Sequence, residues 1–312
     1  MGSHEEPPLP AVSTPQDLSV SVIIPTYRRG DVLLRAIDSV LAQTDPAEEL
    51  IIVDDGSLDG TVERLRARYG DALRLFRLAQ NRGVSAARNH GIAKARGRFI
   101  ALLDSDDAWL PRKLERQRRA LREAPGYRLC HTDELWIRRG RRVNPMDKHQ
   151  KRGGEIFAHC LPRCAISPSS VLIARELLDE VGLFDTQLPA CEDYDLWLRI
   201  CCREAVLYVD EPLLEKYGGH DDQLSRRYYG IDRFRIVALH KLLRSRQLTA
   251  AQRQTTLATL REKLDVFIQG AVKRGHHELA RRYERLRHET HPGCARPRFE
   301  AKSSLGTRKE PP

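Results

Sequence analysis

The sequence predicts an α/β fold in which a mostly parallel sheet is flanked by helices and followed by a C-terminal helical extension. Short β-branched runs alternate with stretches of helical apolar spacing through the first third of the chain, the pattern of a parallel sheet wound with crossover helices. Three of those runs stop abruptly at polar or acidic residues, and in such sheets ligands bind beyond the carboxyl ends of the strands. The last periodic stretches are long, basic and amphipathic, which reads as helix added to the sheet.

The elements follow in order. Residues 1–18 are acidic and Pro-rich and lack the basic-then-apolar pattern of a signal peptide, so disorder and a cytoplasmic location are expected. Order begins at Ser19. Residues 20–25 (VSVIIP) form a short β-branched run closed by proline, a buried strand. Leu34, Ile37, Val40 and Leu41 then fall at helical spacing behind Asp31, a capping candidate. Residues 50–53 form a second apolar strand, ending in Asp54-Asp55-Gly56-Ser57. A helix is expected over 61–69, a strand over 73–78 and an Ala-rich helix over 84–95. The run 99–103 (FIALL) is another strand and ends in Asp104-Ser105-Asp106-Asp107. A basic helix over 110–124 precedes a polar loop over 137–154, a returning strand over 171–174, and helices near 176–181 and over 191–202. Helices over 231–243 and 249–287 close the pattern, and the tail from Pro292 has too little hydrophobicity for order. The chain thus divides into a main unit over 19–230, a basic helical extension over 231–290 and a disordered tail over 291–312.

With 312 residues, 41% hydrophobic and 31% charged, the chain can bury a sizeable core, and no run approaches the length of a membrane span. Its seven cysteines are scattered without a CxxC pair, so reduced thiols are expected; His159, Cys160 and Cys164 do not have a known zinc spacing. The net charge of +10 is uneven: residues 231–290 hold 14 Lys and Arg against 6 Asp and Glu. That bias suits an anionic membrane face or a phosphorylated substrate, and equally a solvated helix face. No helix-turn-helix, zinc-finger or aromatic-basic pattern supports nucleic-acid binding.

Carboxylates crowded at a strand end repel one another unless a cation sits among them, so Asp104, Asp106 and Asp107 are candidate ligands for magnesium or manganese, which bind through one or two carboxylates and substrate phosphate oxygens. The plainer reading is an acidic turn, with Asp107 capping the helix that begins near Leu110. A carboxylate of Asp54-Asp55 can accept the imide N–H of a uracil, or close an ordinary turn. Glu192-Asp193, at the start of a helix, is stabilised there by the dipole and kept ionised, as a general base must be. His220 follows two flexible glycines and is a candidate metal ligand.

The ordered set of strand-PTY, strand-DDGS, Asn81-x-Gly83-x-x-x-Ala87-Arg88-Asn89, strand-DSDD and EDYDLW resembles the family 2 glycosyltransferases with the Rossmann-like GT-A fold. The resemblance runs from Ser19 to about Ser225. It implies an inverting transferase that moves a sugar from a nucleotide diphosphate donor, UDP-sugar favoured, onto a hydroxyl of a glycan or lipid-linked acceptor, with Mn2+ or Mg2+ as cofactor. The donor half would span about 19–110 and the acceptor half about 111–230. Pro25, Thr26, Tyr27, Asp54 and Asp55 would surround the nucleoside. Arg88 would face the diphosphate or nucleoside, and Asn81 would shape that wall. Asp104 and Asp106 form the DxD motif, with Asp107 as a helper and His220 completing the metal sphere. Asp193 matches the base and Glu192 would position the site. A nucleotidyltransferase would carry a Gly-rich basic loop where this chain has PTYRRGD, and a non-catalytic sugar-binding module would be expected to lose the acids that this chain keeps.

Overall fold

A computed structural model describes residues 17–219, 228 and 230–290; His220 and both expected disordered termini, apart from residues 17 and 18, lie outside them. The first half is a regular alternation: β1 (Val20–Thr26), α1 (Gly30–Leu41), β2 (Glu49–Asp54), α2 (Thr61–Tyr69), β3 (Arg74–Arg77), α3 (Val84–Lys94) and β4 (Phe99–Leu102). Then come β5 (Ala108–Trp109), α4 (Lys113–Glu123), β6 (Leu129–Arg138), β7 (Arg141–Val143), α5 (Phe157–Cys160), β8 (Leu172–Ala174), α6 (Arg175–Val181), α7 (Glu192–Cys201) and β9 (Leu207–Gly218). Helices α8 (Asp232–Arg244), α9 (Ala250–Lys273) and α10 (His277–Glu289) finish the described chain.

The strands form one sheet in the order β3-β2-β1-β4-β8-β6-β9-β5, with β7 paired to β6. From β3 to β4 every pairing is parallel, as expected from the alternation. Beyond β4 the sheet is mixed: β8 runs antiparallel to β4 and β6, while β6 and β9 are parallel. All seven residues of β1 are buried, as befits a strand with neighbours on both sides. Pro25 is tolerated there because of where β4 ends. The ladder bond from Leu103 N–H reaches Ile23 O, and residue parity puts the Pro25 nitrogen on the same side, where β4 has already turned away.

Two strands escape sequence patterning. β6 meets the expected loop over 137–154 only at its last two residues, and its first eight carry no strand pattern, because polar residues point inward: His131 and Glu134 are buried. Each has a partner. His131 Nε2 lies 2.8 Å from Arg152 O, and Glu134 pairs with Lys151 at 3.3 Å. β9 is broken in pattern by Pro212, which sits opposite Asp133 where the register slips. The expected single helix over 249–287 is two, because the chain turns at Gly275, in the left-handed region at φ +78°. α9 and α10 then run antiparallel, with the Phe267 and Tyr283 rings 4.4 Å apart and Arg287 paired to Asp265 at 2.8 Å. Asp31 lies inside the first turn of α1 and makes no capping bond, and α4 begins at Lys113, too late for Asp107 to cap it.

The apolar core is continuous from Leu18 to Leu286. α8 joins it through Phe234, Ile236 and Leu239, all fully buried, and is pinned to α7 where Lys241 reaches Asp195 at 2.9 Å and to the segment before α7 where it contacts Asp185. Among the described residues no helix is long and apolar enough to cross a membrane.

The turn after β2 depends on Gly56, at φ +79°; a Cβ there would stand 2.7 Å from the Gln80 carbonyl carbon and 2.9 Å from Asn81 N. Backbone crowding and a left-handed conformation act together, so Gly56→Ala should destabilise the protein by at least about 2 kcal/mol. Urea unfolding checks it: a lowered midpoint with unchanged slope is expected.

Candidate active site

Three strand ends meet at one edge of the sheet. Thr26 of β1 stands beside Asp54 of β2 in register, and Asp55 N–H donates to Thr26 O at 2.8 Å. Asp54 is fully buried. Its Oδ2 accepts the Ser57 N–H at 2.9 Å and lies 3.7 Å from Arg77 Nε, while Oδ1 and the neighbouring Thr26 Oγ1 have no hydrogen-bond partner among the described residues. Asp55 takes the backbone of the next loop in both oxygens, from Arg82 N–H at 2.8 Å and Gly83 N–H at 2.7 Å. Burial, joined by the charge of Asp54, raises the Asp55 carboxyl against the lowering effect of those two N–H groups. The loop so held presents Asn81 to solvent, and Tyr27, half-buried, carries the Arg28 guanidinium 5.2 Å from its ring centre.

The loop after β4 is tied down from three directions. Asp104 N–H donates to Ser169 Oγ at 3.1 Å, and that hydroxyl donates to Asp107 Oδ2 at 2.6 Å. The other oxygen of Asp107 accepts Tyr217 N–H at 3.0 Å. From α1, Arg35 donates to Asp106 O at 2.6 Å and lies 3.5 Å from the centre of the Tyr217 ring, while Arg29 stands 3.8 Å from the Asp106 carboxylate. Burial, and then the charges of Asp106 and Asp104, push the Asp107 carboxyl well above the usual range, against the pull of Lys216. Asp107 is therefore inward-facing and engaged on both oxygens. Asp104 and Asp106 keep 30% and 20% of their side chains exposed. These two partly exposed carboxylates fit a magnesium or manganese ion that takes one or two protein oxygens and completes its shell with phosphate and water.

One arginine joins this loop to α7. Arg88, on α3 and only 3% exposed, donates to Asp104 Oδ1 and to Glu192 Oε1, each at 2.6 Å. Burial works against its charge, but the two carboxylates outweigh it and hold the guanidinium firmly protonated. Glu192 opens α7 behind Cys191, whose left-handed conformation (φ +60°) makes the sharp entry. Burial and the nearby Asp193 push Glu192 up to about 7 in spite of Arg88. Asp193 is half-buried, with Oδ1 accepting the Tyr194 N–H at 2.7 Å and Oδ2 accepting the Cys164 thiol at 3.1 Å. Burial, with the Asp193 carboxylate adding to it, keeps that thiol protonated.

Ser169, Cys164 and Lys216 touch the site and were missed in the sequence. Ser169 sits in an S-P-S-S run that could have flagged a tight turn; the other two carry no pattern. The zinc grouping does not form. Cys160 faces Cys201, His159 contacts Gln150 O, and among the described residues no three or more His, Cys, Asp or Glu gather as a ligand set.

The sequence model described as "Glycosyl transferase family 2" matches residues 21–166. A putative teichuronic acid biosynthesis glycosyltransferase, TuaG of Bacillus subtilis, is 30% identical over 207 residues, 64% of this chain and 78% of that protein. The chain belongs to glycosyl transferase family 2. An uncharacterized glycosyltransferase of Rickettsia bellii is 35% identical over 217 residues, 67% of this family 2 chain, and the match spans only 31% of the relative's length. The crystal structure of S. aureus TarS 1–349 in complex with UDP-GlcNAc superposes with a TM-score of 0.66, covering 87% of this chain and 89% of that one at 18% identity. The likeness is one of fold, and this family 2 chain has the expected GT-A architecture with its C-terminal helices.

Glu192 generates a pH prediction. Its folded value lies above the ordinary carboxyl value, so the folded state binds more protons than the unfolded state between about pH 4.5 and 7. Stability from this group therefore falls as pH rises through that window. Against Glu192→Gln, which cannot ionise, wild-type stability should decline relative to the variant from pH 4.5 to 7 and level off above it. Paired urea titrations check the sign.

Proposed function

We propose that this protein is an inverting transferase that moves a sugar from a nucleotide diphosphate donor, a UDP-sugar by preference, onto an acceptor hydroxyl in the biosynthesis of a surface polysaccharide or glycoconjugate. The observation that carries the reading is Arg88, which couples Asp104 of the acidic loop to Glu192 beside Asp193, so that one buried side chain joins a phosphate-facing edge to a candidate base. Support for the donor comes from the fold shared with TarS, whose structure holds UDP-GlcNAc. Support for the pathway class comes from kinship to TuaG, a putative teichuronic acid biosynthesis enzyme.

Pro25, Thr26, Tyr27 and Asp55 line the nucleoside, with Asp54 beneath them as a buried anchor and Asn81 at the rim. Arg88 orients Asp104 toward the diphosphate. Asp104 and Asp106 would hold magnesium or manganese, with Asp107 bracing the loop and His220 as a further ligand. When bound, the ion offsets the charge that builds on the leaving diphosphate. Asp193 accepts the acceptor's hydroxyl proton as that oxygen bonds to the anomeric carbon. The bond from that carbon to the diphosphate breaks, the nucleoside diphosphate departs, and a single displacement inverts the configuration. The exposed bases of α9 and α10, among them Lys273, Arg281 and Arg285, support reversible contact with an anionic membrane face.

Asp193→Asn keeps the shape and removes proton acceptance. The turnover rate should fall by about 10²–10⁴-fold while donor affinity, measured by calorimetry, holds. Lost donor binding with normal turnover at saturating donor would make Asp193 a binding residue instead. Asp106→Ala should abolish metal-stimulated transfer across a nucleotide-sugar panel and leave the unfolding midpoint near wild type. Undiminished turnover in excess chelator would refute the metal assignment.

A further inference from the structure

The β6–β7 hairpin carries four arginines in five positions: Arg138 and Arg139 before Gly140, Arg141 and Arg142 after it. Their arrangement works against folding. Arg138 faces Arg141 directly across the hairpin, and like charges in opposed positions destabilise a strand pair. Arg139 and Gly140 both have positive φ, at +49° and +72°. A two-residue turn of that kind favours Asn or Gly at its first position, and this chain places an arginine there. None of the four has a carboxylate at ion-pair distance among the described residues. Arginines elsewhere do: Arg118 holds Asp45 and Glu48, and Arg128 holds Glu180 and Glu204. From Leu135 to Arg152 there are seven Lys and Arg and one acid, Asp147.

The hairpin borders the acidic loop. In the β6–β9 register Trp136, Ile137 and Arg138 pair with Lys216, Tyr217 and Gly218, and Tyr217 N–H is the group that holds Asp107. Arg138 stacks 5.1 Å from the Trp136 ring centre and its guanidinium lies across Gly218, where a Cβ would come within 1.5 Å of it. Arg139, Arg141 and Arg142 are exposed. We propose that this hairpin binds the acceptor, and that the acceptor is a polyanionic glycan bearing phosphate or carboxylate groups. The inference rests on the transferase reading above for its place in the reaction. Arginines that have no carboxylate partner among the described residues, at the edge of a site, suit a ligand that brings negative charge, and a two-residue turn holds them ready for it.

The test is binding of labelled probes without donor: a short glycerol phosphate oligomer, an oligogalacturonate and a neutral maltooligosaccharide, each at low and high salt. The expected result is salt-sensitive binding of one or both anionic oligomers and none of the neutral one. The triple variant Arg139→Gln, Arg141→Gln, Arg142→Gln should bind at least about tenfold more weakly. The phosphate and carboxylate arms tell the two charge sources apart. UDP binding measured on the same variant reports that the fold and donor site survive. Arg66→Gln with Arg122→Gln and Arg246→Gln, the same charge change at exposed positions elsewhere, should leave oligomer binding within about twofold. Equal binding of neutral and anionic oligomers, or equal loss in that control variant, would each overturn the proposal. Failure of wild type to bind UDP while oligomer binding persists would count against the donor reading alone.

Discussion

The site depends on one buried guanidinium. Arg88 has two carboxylates at 2.6 Å and is almost fully buried, and it ties the loop after β4 to the first turn of α7. Removing one partner from such a buried set leaves an uncompensated charge and costs about 3–5 kcal/mol, far more than the pair contributes against an apolar replacement. Its value here is therefore geometric. Arg88 has a fixed base because α3 packs on β1, and Asn89 beside it clasps Phe184 through both backbone groups at 2.8 and 3.1 Å, so the segment leading into α7 is registered against the same helix.

Around that contact the acids are neutralised by cations from different parts of the chain. Asp104 has Arg88 from α3, Asp106 has Arg29 from the loop after β1, and Asp107 feels Lys216 from β9. Lys216 is held above its ordinary value, despite burial, by Glu134, Asp107, Cys164 and Asp104. The network couples the loop after β4 to β9 electrostatically, and Lys216 also bonds Ser167 at 2.8 Å, in the segment that carries Ser169.

The parallel half and its strand ends were readable in the sequence because they obey single rules: β-branched runs buried on both faces, acids stranded where a strand stops. The motifs at Thr26, Asp54, Asp55, Asp104, Asp106, Glu192 and Asp193 were readable for the same reason, local spacing. The half built on β6 and β9 was not. β6 buries His131 and Glu134, and β9 half-buries Lys216, by pairing them with residues distant in sequence, and a polar residue satisfied by a remote partner looks, in the sequence, like a residue in a loop. Cys164 and Ser169 were hidden in the same way. Each acts through a contact, to Asp193 and to Asp107, that spans tens of residues.

The reversal of strand direction at β4 also governs how the chain can assemble. β1 to β4 pair only with strands inside the stretch from Val20 to Leu102, except at the outer edge of β4. β5 and β6 both wait for β9, which ends at Gly218. During synthesis the first four strands can pair while more than a hundred residues needed by the others are still unmade. Until β8 arrives, β4 stands with an open, wholly apolar edge (FIAL). Charged residues flank that run, Arg96 and Arg98 before it and Asp104, Asp106 and Asp107 after it, and such flanks oppose pairing with a second copy while nothing else covers the edge.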